Sequence, residues 1–277
     1  MALIPPFFMD CVVAIGIESN VNGKTEKHWI GTGFLFGKFI EVDKNNPDMK
    51  HYGTWLVTNK HVLEDQESII LRFNPKTDQA AKDFKSDLFE NKKQIWTGHP
   101  DKNVDVAVVK IVTKHLKDNR MKYSYFRSDD TVLDKKGMEK NEISEGDHIY
   151  ALGFPMGLIN PLRQHVIVRS GIIARIRDLY ENRSKDFIVD AMVFPGNSGG
   201  PVILQPQSMS ITGTNAHTRA ELIGIVKSYI PFREIAVSQQ TLEPRIIFEE
   251  NSGLTLVEPV DHILETIELA EKSVKKV

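Results

Sequence analysis

Apolar positions in this chain come in short runs, with glycines and polar turns between them. Residues 11–17 read as a strand, followed by a turn around Asn22-Gly23. Residues 29–36 and 54–58 read as two more strands, and 59–63 as one turn of helix. Residues 68–73 alternate as a half-buried strand does, and 106–112 form a clear apolar strand. The charged span 75–100 is less regular and predicts either a helical insertion over 80–91 or a long loop. Span 113–145 is rich in Lys, Asp and Glu, which is the composition of a connection between two lobes.

The second half repeats the strand rhythm at 148–153, 166–176 (interrupted by Gly171), 187–193, 201–204, 221–226 and 254–257, with a polar hairpin tip over 205–219. The period then changes. Asp261 is placed to cap a helix whose Ile263, Leu264, Ile267, Ala270 and Val274 form one stripe. Two runs of short strands and a terminal helix predict an all-β protein of two small barrels. The expected division is 10–112 for the first barrel, 113–145 for the connection, 146–258 for the second barrel and 259–277 for the helix.

Composition narrows the function classes. The chain has 277 residues, 41% hydrophobic and 26% charged, as ordinary globular proteins do. Lys plus Arg number 35 against 37 Asp plus Glu, so charge gives no basis for a nucleic-acid or anionic-membrane partner. No apolar run reaches the length of a membrane span. The stretch from Met1 and Ala2 to Asp10 lacks a basic start, and Pro5, Pro6 and Asp10 interrupt it, so it does not read as a signal peptide. Cys11 is the only cysteine, which excludes an internal disulfide and a thiolate metal cluster and predicts a small buried hydrophobe. The expectation is a cytoplasmic protein; the alternative is an exported one whose signal has been removed. No His-Glu-x-x-His or paired-cysteine spacing calls for a metal, and no cofactor is expected. Gly31-Thr32-Gly33 has the wrong spacing, and no helix after it, for a dinucleotide loop.

The chemistry concentrates in Pro195-Gly196-Asn197-Ser198-Gly199-Gly200-Pro201-Val202, a glycine-dense turn with one hydroxyl at its apex. Such a backbone can aim several N–H groups into one concavity, as an oxyanion requires. By itself it is equally a tight turn between strands. A serine hydroxyl needs a base to act as a nucleophile, and the base needs a carboxylate to fix its tautomer. Among nine histidines, His61 stands out because it closes the apolar strand at 54–58 and opens the turn after it. Asp105 sits at the mouth of the strand at 106–112, where a partly buried carboxylate needs a donor. Read singly, His61 is a capped strand end and Asp105 a loop acid.

Their order, His61, Asp105, Ser198, is one of the convergent triad orders. With it the chain resembles the trypsin-like serine peptidases of chymotrypsin fold, and within them the bacterial HtrA/Deg-type branch. The resemblance rests on Gly31-Thr32-Gly33-Phe34, Val57-Thr58-Asn59-Lys60-His61-Val62 and Asp105-Val106-Ala107-Val108-Val109-Lys110. It continues in Ala151-Leu152-Gly153-Phe154-Pro155-Met156-Gly157, Ser170-Gly171-Ile172-Ile173, Asp190-Ala191, the octet around Ser198, and Ile223-Gly224-Ile225. It implies two six-stranded antiparallel barrels with the site between them. It further implies Ser198 as nucleophile, His61 as base then acid, Asp105 as orienting carboxylate, and Gly196 and Ser198 N–H groups as the oxyanion hole. By the same alignment the substrate pocket lies near Met192 and Phe194, with a wall from Val226 through Lys227 to Tyr229. Met192 and Val226 carry no carboxylate, so an apolar or small side chain is expected there, unless Lys227 favours an acidic one.

Two departures shape the expectation. Asn197 stands where secreted relatives carry an aspartate that pairs with a new N-terminus, so no activation by N-terminal trimming is expected. The branch usually adds PDZ domains. This chain ends just past its helix, so none is expected, and a peptide-sensing regulator would be a separate chain. The function implied is a serine endopeptidase acting on protein or peptide substrates. A catalytically silent or activator-dependent binding protein on the same fold is the alternative. An α/β-hydrolase esterase is disfavoured because no helix follows Ser198.

Overall fold

The structure, a computed structural model, describes residues 3–21, 23–209, 211–241 and 243–274. Met1 and Ala2, Asn22 of the expected turn, Ser210 of the expected hairpin tip and the side chain of Val274 lie outside the described residues.

After a short helix α1 (Pro6–Met9), the first half contributes strands β1 (Val12–Val21), β2 (Lys24–Val42), β3 (Lys50–Thr58), β4 (Ser68–Phe73) and β5 (Lys82–Asp87). A small hairpin of β6 (Phe89–Glu90) and β7 (Lys93–Gln94) follows, then β8 (Trp96–Gly98) and β9 (Ala107–Lys110). Helix α2 (Lys60–Leu63) is the turn that follows β3. The sheet runs β5-β4-β1-β2-β3-β9-β8, and β10 (Phe126–Arg127) pairs in parallel beside β2. The helix considered for 80–91 is instead an edge strand and half of a hairpin: β5 pairs residue for residue with β4, from Ser68 opposite Asp87 to Phe73 opposite Lys82. The exposed backbone edge of β4 outweighs the weak helical pattern of that charged stretch.

The connection at 113–145 carries helices α3 (Lys114–Asp118) and α4 (Lys135–Lys140). It is more than a solvated link, because Leu116, Met121, Phe126, Met138 and Ile143 are buried. The second half closes into a barrel: β11 (His148–Gly153), β12 (Ile167–Arg175), β13 (Phe187–Asp190), β16 (Pro244–Pro259), β15 (Glu221–Val237) and β14 (Pro201–Leu204). Helix α5 (Arg177–Tyr180) joins β12 to β13, and α6 (Val260–Val274) ends the chain. The protein is mostly β with a terminal helix, as expected. The second sheet is a closed six-strand barrel, while the first remains an open path in which β5 and β8 do not meet. Helix α6 packs on β8 and β9 at that end.

Burial explains why the strands read as unbroken apolar runs. In β1, Val13 and Ile15 enter the core of the first sheet with Leu35, Leu56 and Val109. Val12 and Ala14 face the other way, into a second core shared by both halves. Tyr150 and Leu152 of β11 and Ile203 of β14 reach that shared core from the opposite side, while Ile149, Ala151, Val202 and Leu204 fill the barrel interior. Strands buried on both faces lose the polar alternation of half-buried ones. Ile263, Ile267 and Ala270 of α6 also pack into the shared core, so the helix staples the two sheets together. Burying each isoleucine contributes roughly 1.5–3 kcal/mol. Cys11 is buried in the same core, and burial pushes its thiol pKa far up.

Asp261 does not cap its own helix. It sits in the first turn of α6, and its Oδ2 accepts the N–H of Lys135 at 2.8 Å, at the start of α4. Asp134 caps α4 through Gly137 N–H at 2.7 Å. The largest departure is at β15 and β16. The sequence pattern predicts short strands at 221–226 and 254–257, yet both extend into a long hairpin in which β15 and β16 pair as far as Val237 opposite Pro244.

Gly224 sets how closely β15 and β16 approach: a Cβ there would lie 2.4 Å from the carbonyl oxygen of Glu258. Gly224→Ala is expected to destabilise the fold by roughly 1–3 kcal/mol through overpacking, measured as a lowered midpoint in thermal or urea unfolding.

Candidate active site

Ser198, His61 and Asp105 come from three loops at the seam between the sheets. Buried Thr58 ends β3, and α2 begins directly after Asn59, so His61 is held one residue into a helical turn whose Val62 and Leu63 are buried. Asp105 precedes β9 between buried Val104 and Val106. Its carboxylate holds the whole turn. Oδ1 accepts the N–H of Lys60 at 2.7 Å and of His61 at 3.3 Å, and Oδ2 meets His61 Nδ1 at 2.6 Å. The amide of Asn59 donates to the Asp105 carbonyl at 2.6 Å.

Burial alone would raise the Asp105 pKa. The hydrogen bond and charge of His61, with the two backbone donors, outweigh burial and hold the carboxyl below its ordinary value. An ionised Asp105 has no proton to donate, so Nδ1 of His61 carries the proton of this bond, and in the neutral imidazole that makes Nε2 the acceptor. Among the described residues, Ser198 Oγ makes no hydrogen bond, to His61 or to any other group.

The turn around Ser198 is fixed by its backbone. Gly196 has φ +97° and Gly199 φ +84°, both in the region that favours glycine. A Cβ on Gly196 would lie 2.4 Å from Phe154 O, and one on Gly199 would lie 2.1 Å from Thr32 O. The Pro195 carbonyl accepts the N–H of Met156 at 2.6 Å. Met156 adopts φ +55° at that point, a strained conformation for a side-chain-bearing residue. A trans peptide sets C=O and N–H on opposite sides, so this bond turns Gly196 N–H away from Met156. Neither Gly196 N–H nor Ser198 N–H donates to any group among the described residues. Asn197 is fully buried, and its Oδ1 accepts Phe194 N–H at 3.1 Å within the same loop.

Sequence reading missed two sets of residues. The first is Thr32, which is fully buried. Its N–H donates to Ser198 O at 2.9 Å, its hydroxyl donates to Gly196 O at 2.6 Å, and the same oxygen accepts Phe154 N–H at 3.0 Å. Thr58 in turn donates to Thr32 O at 2.8 Å. Thr32 lay inside one of the quoted motifs, between Gly31 and Gly33, and that polar residue in an apolar strand was the available signal. The second set lies behind Asp105. Glu258 is fully buried and its Oε1 accepts the N–H of Asp105 at 3.0 Å. Lys227 pairs with it at 3.0 Å, and His262 Nδ1 donates to its other oxygen at 2.6 Å. A lone Glu ahead of a proline gave no signal of this.

Lys227 was expected in the pocket wall. Its ammonium is committed elsewhere: to Glu258, to Asp186 at 2.8 Å and to the carbonyl of Asn103 at 2.7 Å. Burial would lower its pKa, and the hydrogen bond to Asp186 and the Glu258 charge raise it instead. The other pocket candidates are spread in their surroundings. Met192 is half exposed, Val226 is buried in the barrel core, Phe194 lies under the Arg169 guanidinium at 5.0 Å, and the Tyr229 hydroxyl donates to Glu249 at 3.1 Å. Among the described residues no group of three or more His, Cys, Asp and Glu side chains is arranged to hold a metal ion, and no helix is long and apolar enough to cross a membrane.

The model of one family, described as the trypsin-like peptidase domain, matches residues 31–208. Curated relatives carry the name "Probable periplasmic serine endoprotease DegP-like". The one from Rhizobium meliloti (strain 1021) is 33% identical over 149 residues, 53% of this chain and 23% of that protein. The one from Pseudomonas savastanoi pv. phaseolicola (strain 1448A / Race 6) is 26% identical over 178 residues, 64% of this chain and 27% of that protein. The matched part of this chain thus covers about a quarter of the length of these relatives.

Two outcomes follow from these contacts. Because the Asp105 pKa is held down in the fold, its ionised form adds stability above the unfolded value of about 3.9, and this is lost as pH falls through the lower folded value. The stability gap between wild type and Asp105→Asn is therefore expected to be widest near neutrality and to close below about pH 4, read from melting curves across pH. Thr32→Val keeps the backbone bond to Ser198 and leaves Gly196 O and Phe154 N–H without their hydroxyl partner. It is expected to cost roughly 1–3 kcal/mol in denaturant unfolding.

Proposed function

This chain belongs to the trypsin-like peptidase domain family, and from that premise we propose that it is a serine endopeptidase working through Ser198, His61 and Asp105. The observation that carries the reading is the 2.6 Å contact between His61 Nδ1 and Asp105, which leaves Nε2 as a base on a rigid turn. Ser198 Oγ attacks the peptide carbonyl carbon while His61 Nε2 takes its proton. The oxyanion that forms is met by the unclaimed N–H groups of Gly196 and Ser198. Collapse breaks the C–N bond, His61 returns the proton to the leaving amine, and water hydrolyses the acyl-enzyme by the same route. Asp105 stays ionised and stabilises the imidazolium.

The substrate is a protein or peptide chain. The proposed pocket lies beside Met192 and Phe194, along the β15 segment from Val226 to Tyr229, and takes a small or apolar side chain; with Lys227 held by two carboxylates, a preference for acidic side chains loses its basis. The missing His61–Ser198 bond is the one feature that favours an activator-dependent enzyme, although such bonds commonly tighten only with substrate bound. Cell fractionation decides between the expected cytoplasm and the periplasm printed in the relatives' names.

A fluorophosphonate probe is expected to label the intact chain and not Ser198→Ala. Asp105→Asn is expected to lower kcat on a casein or peptide-library substrate on the order of 10⁴-fold. No labelling of a folded wild-type chain, alone or with added peptides, favours the silent binding protein.

A further inference from the structure

The part of the β15–β16 hairpin beyond residue 229 leaves the barrel. Strand β13 pairs with β16 only from Leu254 to Val257, so the outer edge of β16 from Pro244 to Glu250 has no neighbour among the described residues. Phe232, Ile235, Val237, Ile246, Ile247 and Phe248 are each more than half exposed on this arm. Cross-strand pairing sorts them by face. Ile235 lies opposite Ile247 on one face, and Glu234 opposite Phe248 and Ala236 opposite Ile246 lie on the other. A ribbon with apolar residues on both faces has no core of its own to turn them into.

The edge sequence identifies what covers it. Residues Pro244-Arg245-Ile246-Ile247-Phe248-Glu249-Glu250 are complementary to themselves when run antiparallel about Ile247. In that register Ile247 meets Ile247 of the second copy once, on the two-fold axis, while Ile246 meets Phe248 and Arg245 meets Glu249, each of these two pairs occurring twice by symmetry. Arg245 has no ion pair among the described residues, and Glu250 has none either, while Glu249 is held in place by Arg233 at 2.8 Å and Tyr229 at 3.1 Å. A free cation therefore stands on an unpaired edge, in register with an oriented carboxylate. Opposite charges directly across a strand pair favour the match, and like charges oppose it.

We propose that the chain forms a two-fold dimer by antiparallel pairing of β16 with β16 of a second copy, giving a four-stranded ribbon β15–β16–β16–β15. Pairing satisfies the exposed backbone edge, and it makes the apolar patches on both faces continuous across the ribbon. This goes beyond the peptidase reading and does not rest on it.

The test is oligomeric state by analytical ultracentrifugation and light scattering over a concentration series. Wild type is expected to sediment at twice the 31.4 kDa of one chain. Arg245→Glu alone and Glu249→Arg alone each place like charges across both pairs, and each is expected to weaken dimerisation about tenfold or more. An equimolar mixture of the two variants restores both pairs and is expected to recover the dimer as a heterodimer, which a misfolded variant would not do. Circular dichroism of each variant confirms the fold. A wild-type chain that stays monomeric at every concentration, one that instead partitions onto lipid vesicles, or an oligomer unaffected by either variant overturns the proposal.

Discussion

Thr32 is the point on which the arrangement of the two sheets depends. It belongs to the first sheet, and its backbone N–H and side-chain hydroxyl each bond to the turn between β13 and β14 of the second. Its hydroxyl also holds Phe154 at the end of β11, so one fully buried residue joins three segments. The close approach this needs explains the neighbouring glycines. At Gly199 a Cβ would collide with Thr32 O and with Thr58 Oγ1, and at Gly31 it would press on Val62. The same hydrogen bonds that fix the sheets against each other fix where Ser198 sits relative to His61. Fold stability and site geometry are therefore one constraint.

Electrostatics extends that constraint inward. Asp105 is tied to His61 on its solvent side and through its N–H to Glu258 behind it. Glu258 is fully enclosed, and Lys227 and His262 supply the donors a buried carboxylate requires. His262 lies on α6, so the terminal helix that staples the hydrophobic core also reaches the polar layer beneath the site. At the other end of the site, buried Asn197 closes its own loop by accepting Phe194 N–H.

The family and the mostly-β class were legible because the evidence for them is local. Glycines at a sharp turn, a histidine at a strand end and an aspartate at a strand mouth are each visible within a few residues. The open first sheet was not legible, because closure depends on whether β5 and β8 meet, and nothing in either strand states that. Residues 80–91 were misread for a related reason: their strand state comes from the free edge of β4, not from their own weak pattern. Asp261 carried a true capping signal, but the helix it serves is α4, which only folding brings near.

What the sequence determined by itself was the series of short apolar strands, the terminal amphipathic helix, and the candidate nucleophile, base and acid with their order. These follow from periodicity and from residue chemistry at short range. Tertiary structure decided which long-range partners each polar group found: Thr32 with Gly196 and Ser198, Glu258 with Asp105, Lys227 with Asp186 and Glu258. A polar side chain can be satisfied by any suitable donor or acceptor that the fold brings within about 3 Å. Its partner is therefore a property of the packed molecule, and no spacing along the chain encodes it.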